Sequence, residues 1–400
     1  MYTLGRFLIA MITNCEVKMT EKLYYLDAYI NEFSATVIDS YEDNGRYVAI
    51  LDRTAFFPEE GGQSADSGMI GEANVFDVRE KSGEIYHYVD LLLEIGATYN
   101  CRINFDERFE KMQCHTAEHI ISGAVKKLYG LDNVGFHLGK TEVTMDVNGY
   151  LTREQLDEIE LIANRAVFEN VAVTATFPSA AELKTLDYRS KLDLSENVRI
   201  VEIDGYDLCA CCAPHVARTG EIGLIKILDF EKHRGGLRIN IAAGYRALFD
   251  YREKYANVLK ASALFSEPQP TVADAAESFL ASYEELKGRL KAARLNNARL
   301  EASLIHRTES SLVCYYPDMT ADEMRELVNC AKEKVGKILV VLTGIDGDYK
   351  YIMTSQNLDL APIYKQINTD LCGRGGGRDN MIQGSFAVSI ETIKKYFEEI

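Results

Sequence analysis

The sequence predicts an α+β chain of several domains: a small N-terminal β-barrel, an α+β domain with a metal-ligand pattern, a long helical or coiled-coil arm, and a C-terminal α/β domain. Three observations carry that expectation. The chain has 400 residues, too many for one ordinary core. The hydrophobic pattern changes from strand-like alternation to helical spacing shortly after residue 104. A long amphipathic stretch then follows Pro268 and Pro270. The expected divisions are an N-terminal extension over 1–18, the barrel over 19–104, the metal-bearing domain over 105–250, the arm over 251–307 and the last domain over 308–400.

β-rich runs at Ser34–Ile38, Arg46–Leu51, Asn74–Val78 and Ile85–Val89, separated by Asp, Asn, Gly and Ser turns, predict the barrel strands. From Phe109, residues Met112, Thr116, His119, Ile120 and Ala124 repeat at helical spacing until Gly130. A second helix opens at Thr152 with Gln155 as capping partner and buries Leu156, Ile159, Ile162, Ala163 and Val167. Strands are expected at Lys140–Val147, Val171–Phe177, Val198–Ile203 and Leu224–Phe230, with the domain ending near Tyr245. The arm, Val272 to Leu304, sets Phe279, Tyr283, Leu286, Leu290, Leu295, Leu300 and Leu304 among charged residues, the stripe of a coiled coil or of a helix docked on a neighbour. Strand and helix return at Ser311–Tyr315, Ala321–Glu333, Ile338–Thr343, Lys350–Ser355 and Ala361–Leu371.

A net charge of -17 argues against a generally basic nucleic-acid coat. Any RNA contact must be local. Nine cysteines, three of them crowded at Cys209, Cys211 and Cys212, do not form a secreted disulfide framework. The apolar run Phe7 to Ile12 is too short to span a bilayer. A cytoplasmic chain without a membrane partner is expected.

His115 and His119 lie four apart on a predicted helix, so both imidazoles share a face. Cys211 and His215, in a loop broken by Pro214, complete a His3Cys set of the number and type that tetrahedral zinc takes. The helix reads His115-Thr-Ala-Glu-His119, unlike a zinc protease, whose glutamate directly follows the first histidine. Glu118 is expected on another helical face. Four protein ligands fill a tetrahedron, so a closed structural site and a substrate-facing site both remain open.

His115-x3-His119, Cys211-x3-His215 running into Thr219-Gly220-Glu221-Ile222-Gly223, and Phe57-Pro58-Glu59-Glu60-Gly61-Gly62-Gln63 with Asp66 and Gly68 resemble the editing domain of alanyl-tRNA synthetase and its freestanding AlaX relatives. Gly373-Arg374-Gly375-Gly376-Gly377-Arg378 with Met381, Gln383 and Gly384 is similar to the synthetase's C-terminal domain. The order of parts resembles the long form of AlaX. Two positions depart from the family: Glu60 stands where relatives carry a glycine, and Cys211-Cys212-Ala213-Pro214-His215 replaces Cys-Gly-Gly-Thr-His. Cys209 and Cys212 are therefore competing ligands, and the three-residue spacing favours Cys211.

The resemblance implies zinc-dependent hydrolysis of the ester joining serine, or glycine, to alanine tRNA. No glycine-rich phosphate loop precedes Gly61, so ATP-dependent aminoacylation is not expected. Gln63 is the expected hydrogen-bonding group at the ester, with backbone N–H groups of Gly61 and Gly62 beside it. His137, in the loop Gly135-Phe136-His137-Leu138-Gly139 before a core strand, is the expected source of a wall that discriminates by a hydroxyl. Arg234 and Arg238, with His233 and the Lys126-Lys127 pair, and Arg374 and Arg378 in the glycine run are expected to meet RNA. The arm or the C-terminal domain offers a surface on which two copies could pair. The competing reading is a non-catalytic tRNA-binding protein with a structural zinc.

Overall fold

The computed structural model describes residues 19–190, 198–378 and 380–400. The expected extension over 1–18 lies outside the described residues. The chain divides into two compact units, one ending at Asn257 and the other running Val258–Ile400.

The first unit begins with β1 (Glu21–Lys22), β2 (Glu32–Asp43), β3 (Arg46–Leu51), β4 (Arg53–Thr54), β5 (Gly68–Ile70), β6 (Ala73–Lys81), β7 (Glu84–Val89) and β8 (Thr98–Ile103). β1 and β4 pair in parallel, and the other six strands close into a barrel in the order β2-β3-β7-β6-β5-β8. Alternation puts Ala35, Val37, Ala49, Leu51, Val75, Val78 and Val89 inside. One polar ring joins them: His87 is fully buried, its Nδ1 donating to Ala49 O at 3.1 Å and its Nε2 accepting from Thr54 Oγ1 at 2.8 Å. Burial lowers this imidazole to about 4.

Helix α1 (Phe105–Tyr129) starts one turn before the sequence pattern suggests and is buried almost continuously from Arg108 to Val125. It packs with α2 (Arg153–Glu169) against an antiparallel sheet whose order is β14-β15-β10-β9. That sheet contains β9 (Asn133–Leu138), β10 (Val143–Val147) and, later in the chain, β14 (Ile225–His233) and β15 (Gly236–Ala243). The Thr152 and Gln155 box caps α2 as expected. Between α2 and β14 come β11 (Val173–Thr176), the short α3 (Ala180–Leu183), β12 (Ile200–Ile203) and β13 (Asp207–Ala210), the three strands forming a small sheet. The segment read as a loop, Gly135 to Gly139, is mostly strand β9. Its two glycines hid the alternation. Helix α4 (Tyr245–Phe265) follows β15 without a loop at the expected boundary of 250.

In the second unit α5 (Val272–Leu304) covers the span its stripe predicted. Its buried contact is near the C-terminal end: Ala298 and Ala302 bury against α6 (Ala321–Ala331), while Phe279, Tyr283, Leu286 and Leu290 are exposed. Arg294–Glu323 at 2.5 Å and Arg299–Glu326 at 2.6 Å flank that contact. A five-stranded sheet is built from β16 (Leu312–Tyr315), β17 (Leu339–Ile345), β18 (Asp348–Thr354), β19 (Arg374–Arg378) and β20 (Met381–Phe386), in the order β16-β17-β18-β20-β19. Leu339 and Val341 face α6, whereas Val340 and Leu342 face α7 (Tyr364–Asp370) and α8 (Ile390–Glu399), which gives three layers. Among the described residues no helix is long and apolar enough to cross a membrane.

Candidate metal centre

His115 and His119 project from α1 toward the loop that follows β13, and Cys211 and His215 on that loop meet them. One ligand atom from each of the four lies within 4.8 Å of every other. Cys211 Sγ is 3.5 Å from His115 Nε2 and 3.4 Å from His215 Nε2. Zinc–sulfur and zinc–nitrogen bond lengths require a tetrahedral edge of about 3.5 Å. The donor set therefore fits a tetrahedral cation.

Each imidazole is held by its far nitrogen. His115 Nδ1 donates to Gln63 Oε1 at 2.8 Å, His119 Nδ1 to Asp207 Oδ2 at 3.0 Å, and His215 Nδ1 to Thr116 Oγ1 at 3.0 Å. Thr116 passes its own hydroxyl proton to Met112 O at 2.7 Å, so toward His215 it can only accept. All three Nε2 atoms thus present lone pairs to the centre. Asp207 is fixed in turn by Arg189, through contacts of 2.6 and 2.7 Å.

The electrostatics select for positive charge. Burial raises the Cys211 thiol, but the surrounding His115, His215 and His119 imidazoles outweigh it and hold the thiol well below its ordinary range. Burial pushes His215 down to about 3, which keeps it neutral. His119 moves the other way: burial opposes its charge, yet the Cys209 and Cys211 sulfurs and Asp207 raise it well above the usual imidazole value. A divalent cation would balance the charge of the thiolate. Cys212 is not a competitor. Burial raises its thiol, and it sits beside Glu60 and Gly61. Cys209 lies with His119 and Asp207 at the edge of the cluster.

The loop carrying Gln63 is pinned from below. Asp66, buried, accepts from Phe57 N at 2.7 Å and pairs with Arg108, which also donates to Ala28 O at 3.0 Å and Ala55 O at 2.6 Å. Lys111 Nζ donates to Ala65 O at 2.6 Å. Two buried cations from the first turns of α1 thereby set the loop against the same helix that carries His115.

Of the expected catalytic residues, Gly61 and Gly62 line the cavity above the cluster, and Gln63 and His137 do not. Gln63 is fully buried and orients His115, and it does not line the cavity above the cluster. Gly61 and Gly62 do line it, at φ +62° and +85°; a Cβ on Gly62 would meet Phe136 O at 2.3 Å. The close approach is therefore to β9, where Leu138 N donates to Gly62 O at 2.7 Å. His137 is exposed and lies away from the cavity, because alternation along β9 turns Phe136 inward against His115, with ring centroids 4.8 Å apart.

The cavity has a volume of about 1480 Å³ and a mixed wall that includes Lys126, Lys127, Arg189, Arg199, Tyr25 and Phe177. Of the expected RNA-binding residues, Arg238 is engaged by Asp146 through two contacts of 2.8 Å. Arg234 is exposed in the turn between β14 and β15. Arg374 and Arg378 are exposed four residues apart on the edge strand β19. Asp207 and Arg108 are polar residues of the site for which the sequence carries no local signal; Thr116 reads from sequence only as part of the helical stripe, and Glu118 as lying on another face.

A helix–loop centre of three imidazoles and one thiolate, set beside a barrel, defines the class. Residues 198–240 match the Threonyl and Alanyl tRNA synthetase second additional domain, and residues 309–400 match the DHHA1 domain. Among individual proteins, the chain is 28% identical to the alanyl-tRNA editing protein AlaX-L of Pyrococcus horikoshii, over 95% of this chain and 100% of that one. It is 32% identical to an alanine–tRNA ligase of Halorubrum lacusprofundi over 90% of this chain, and 29% identical to that of Pyrococcus abyssi over 95%. It spans only 40% and 43% of those ligases. The resemblance to AlaX-type proteins indicated by the motifs therefore extends over nearly the whole chain.

Proposed function

We propose that this chain is a trans-editing hydrolase that uses zinc and cleaves the ester joining a wrongly attached amino acid to alanine tRNA, serine first and glycine second. The observation that carries this reading is the four-ligand centre, with all three imidazoles oriented from behind, at the wall of a cavity large enough for an aminoacylated RNA end. Similarity to an alanyl-tRNA editing protein along the full length supports it.

Hydrolysis adds water across the ester: the water oxygen bonds to the acyl carbon, the bond to the ribose oxygen breaks, and that oxygen leaves with a proton. Zinc held by His115, His119, Cys211 and His215 would supply Lewis acidity beside the ester carbonyl. The chain's own groups do the rest. Gln63, Asp207 and Thr116 fix the imidazoles. Phe136 covers His115 and keeps bulk water from that side. Lys126 and Lys127, at the cavity wall, are placed to meet backbone phosphates. Sparing alanine requires a polar group that the serine hydroxyl satisfies and alanine leaves unpaired.

The ligand count favours a second reading, in which the ion is structural and the protein only binds tRNA. Deacylation of seryl-, glycyl- and alanyl-tRNA(Ala) by the full chain separates the two. Serine release with alanine spared is expected; seryl-tRNA decaying at the buffer rate would overturn the enzymatic reading.

A further inference from the structure

We propose that Glu118 forms a binding subsite for a primary ammonium, which makes a free α-amino group a requirement of the substrate. The inference rests on the ester-hydrolase reading above and names a feature of the same cavity. Glu118 is 4% exposed and lines the cavity. It stands three residues after His115, so it turns toward the centre rather than away from it, as sequence spacing relative to His119 had suggested.

Its two oxygens have different surroundings. Oε1 accepts from Ser122 Oγ at 2.5 Å and from Asn133 Nδ2. Asn133 Nδ2 also donates to Ser122 Oγ at 2.9 Å, and Asn133 Oδ1 accepts from Gly135 N at 3.0 Å, which ties the carboxylate to the start of β9. Among the described residues Oε2 receives no hydrogen bond. His119 Nε2, the nitrogen that faces the centre, stands 4.0 Å from it. Glu118 lies outside the four-residue ligand set. It does not orient an imidazole either, because all three Nδ1 atoms are already engaged.

Oε2 is open to the cavity rather than sealed from it, and a carboxylate otherwise withdrawn from water favours a cationic partner there. An aminoacyl ester brings one. Its ammonium nitrogen is two covalent bonds from the ester carbonyl carbon, so a pose that presents the carbonyl to the His119 Nε2 side presents the ammonium to Oε2. Such a subsite cannot tell serine from alanine. It tells aminoacyl esters from N-blocked ones, and so spares peptidyl-tRNA.

Two measurements on the full chain test this. In the first, kcat/KM is compared for seryl-tRNA and N-acetylseryl-tRNA. The wild type should prefer the free amine by about 10- to 100-fold, the range of a charge-assisted hydrogen bond. Glu118→Gln keeps an acceptor for Ser122 and Asn133, and should remove most of that preference with bound zinc per chain unchanged. Equal loss on both substrates, loss of zinc, or no effect would each sink the proposal. In the second, calorimetric binding of serinamide is compared with that of N-acetylserinamide. Only the first should bind wild type, and about tenfold or more weaker to Glu118→Gln. If seryl-tRNA is not cleaved yet serinamide binding depends on Glu118, the hydrolase reading fails and the subsite stands. Equal binding of the two amides by wild type overturns the subsite without recourse to any variant.

Discussion

The buried wall of the cavity and its basic rim are built on opposite plans. At the wall, His115, His119 and His215 each have one nitrogen committed to a named partner, and that framework continues through Asp207 to Arg189. At the rim, Lys126 makes one exposed ion pair, with Asp132 at 2.7 Å, and its side chain is 47% exposed. Fixed donors suit an ion and a small reacting group, whereas long solvated cations suit a phosphate backbone that arrives in many poses. The lesson is that removal of a wall residue should act on the centre itself, and removal of a rim residue should act on association.

The largest expected effect comes from Cys211→Ala or His119→Ala. Bound zinc should drop from one per chain to near zero by elemental analysis, and deacylation should fall on the order of 10³-fold with it. Full zinc retention by either variant would erase the distinction. Next is Arg108→Met, which leaves Asp66 buried without its partner. Loss of one member of a buried pair costs about 3–5 kcal/mol, so the melting temperature should fall by on the order of 10 °C.

Acid should weaken the barrel. His87 titrates near 4 when folded, against an ordinary value of 6.5. Between these values the unfolded chain binds the extra proton, so stability declines as pH falls from 6.5 and the loss is complete below 4. The full difference is about 3 kcal/mol. His87→Gln should flatten that part of the stability-versus-pH curve, measured by urea unfolding.

Asp207→Asn, or Gln63→Ala, should lower zinc affinity about 10- to 100-fold in a competition titration while leaving the four ligands in place. The smallest effect belongs to the rim. Lys126→Ala with Lys127→Ala should weaken tRNA binding a few-fold and make the dependence on salt shallower, at unchanged zinc content. Altered zinc in that double variant would join the rim to the wall.

How far the sequence revealed these two regions follows from the range of the interactions. His115 and His119, and Cys211 and His215, are local patterns, and the structure brings the four together. The span of α5 is also local, but most of its stripe is exposed and Ala298 and Ala302 dock instead. Gln63 reaches His115 across 52 residues and Asp207 reaches His119 across 88, distances at which spacing says nothing about contact. His137 stands in a segment that reads as a loop between Gly135 and Gly139; in strand β9, alternation turns Phe136 inward and leaves His137 exposed. Glu118 was set on another face by its angle to His119, whereas the cavity is wide enough to take in the face near His115 as well. Arg238, expected to meet RNA, is engaged by Asp146, a residue 92 positions earlier on the neighbouring strand.

The separation of Cys211 from His115, 96 residues along the chain, carries one more consequence. Bringing two such points together costs conformational entropy that grows with the logarithm of the intervening length. A cation shared by the helix and the loop acts as a reversible cross-link over that span. Such an ion would bind only when both segments have reached their native places, and would couple folding of this half of the protein to metal supply. Chelation should therefore lower the temperature at which the unit comes apart, and added zinc should raise it.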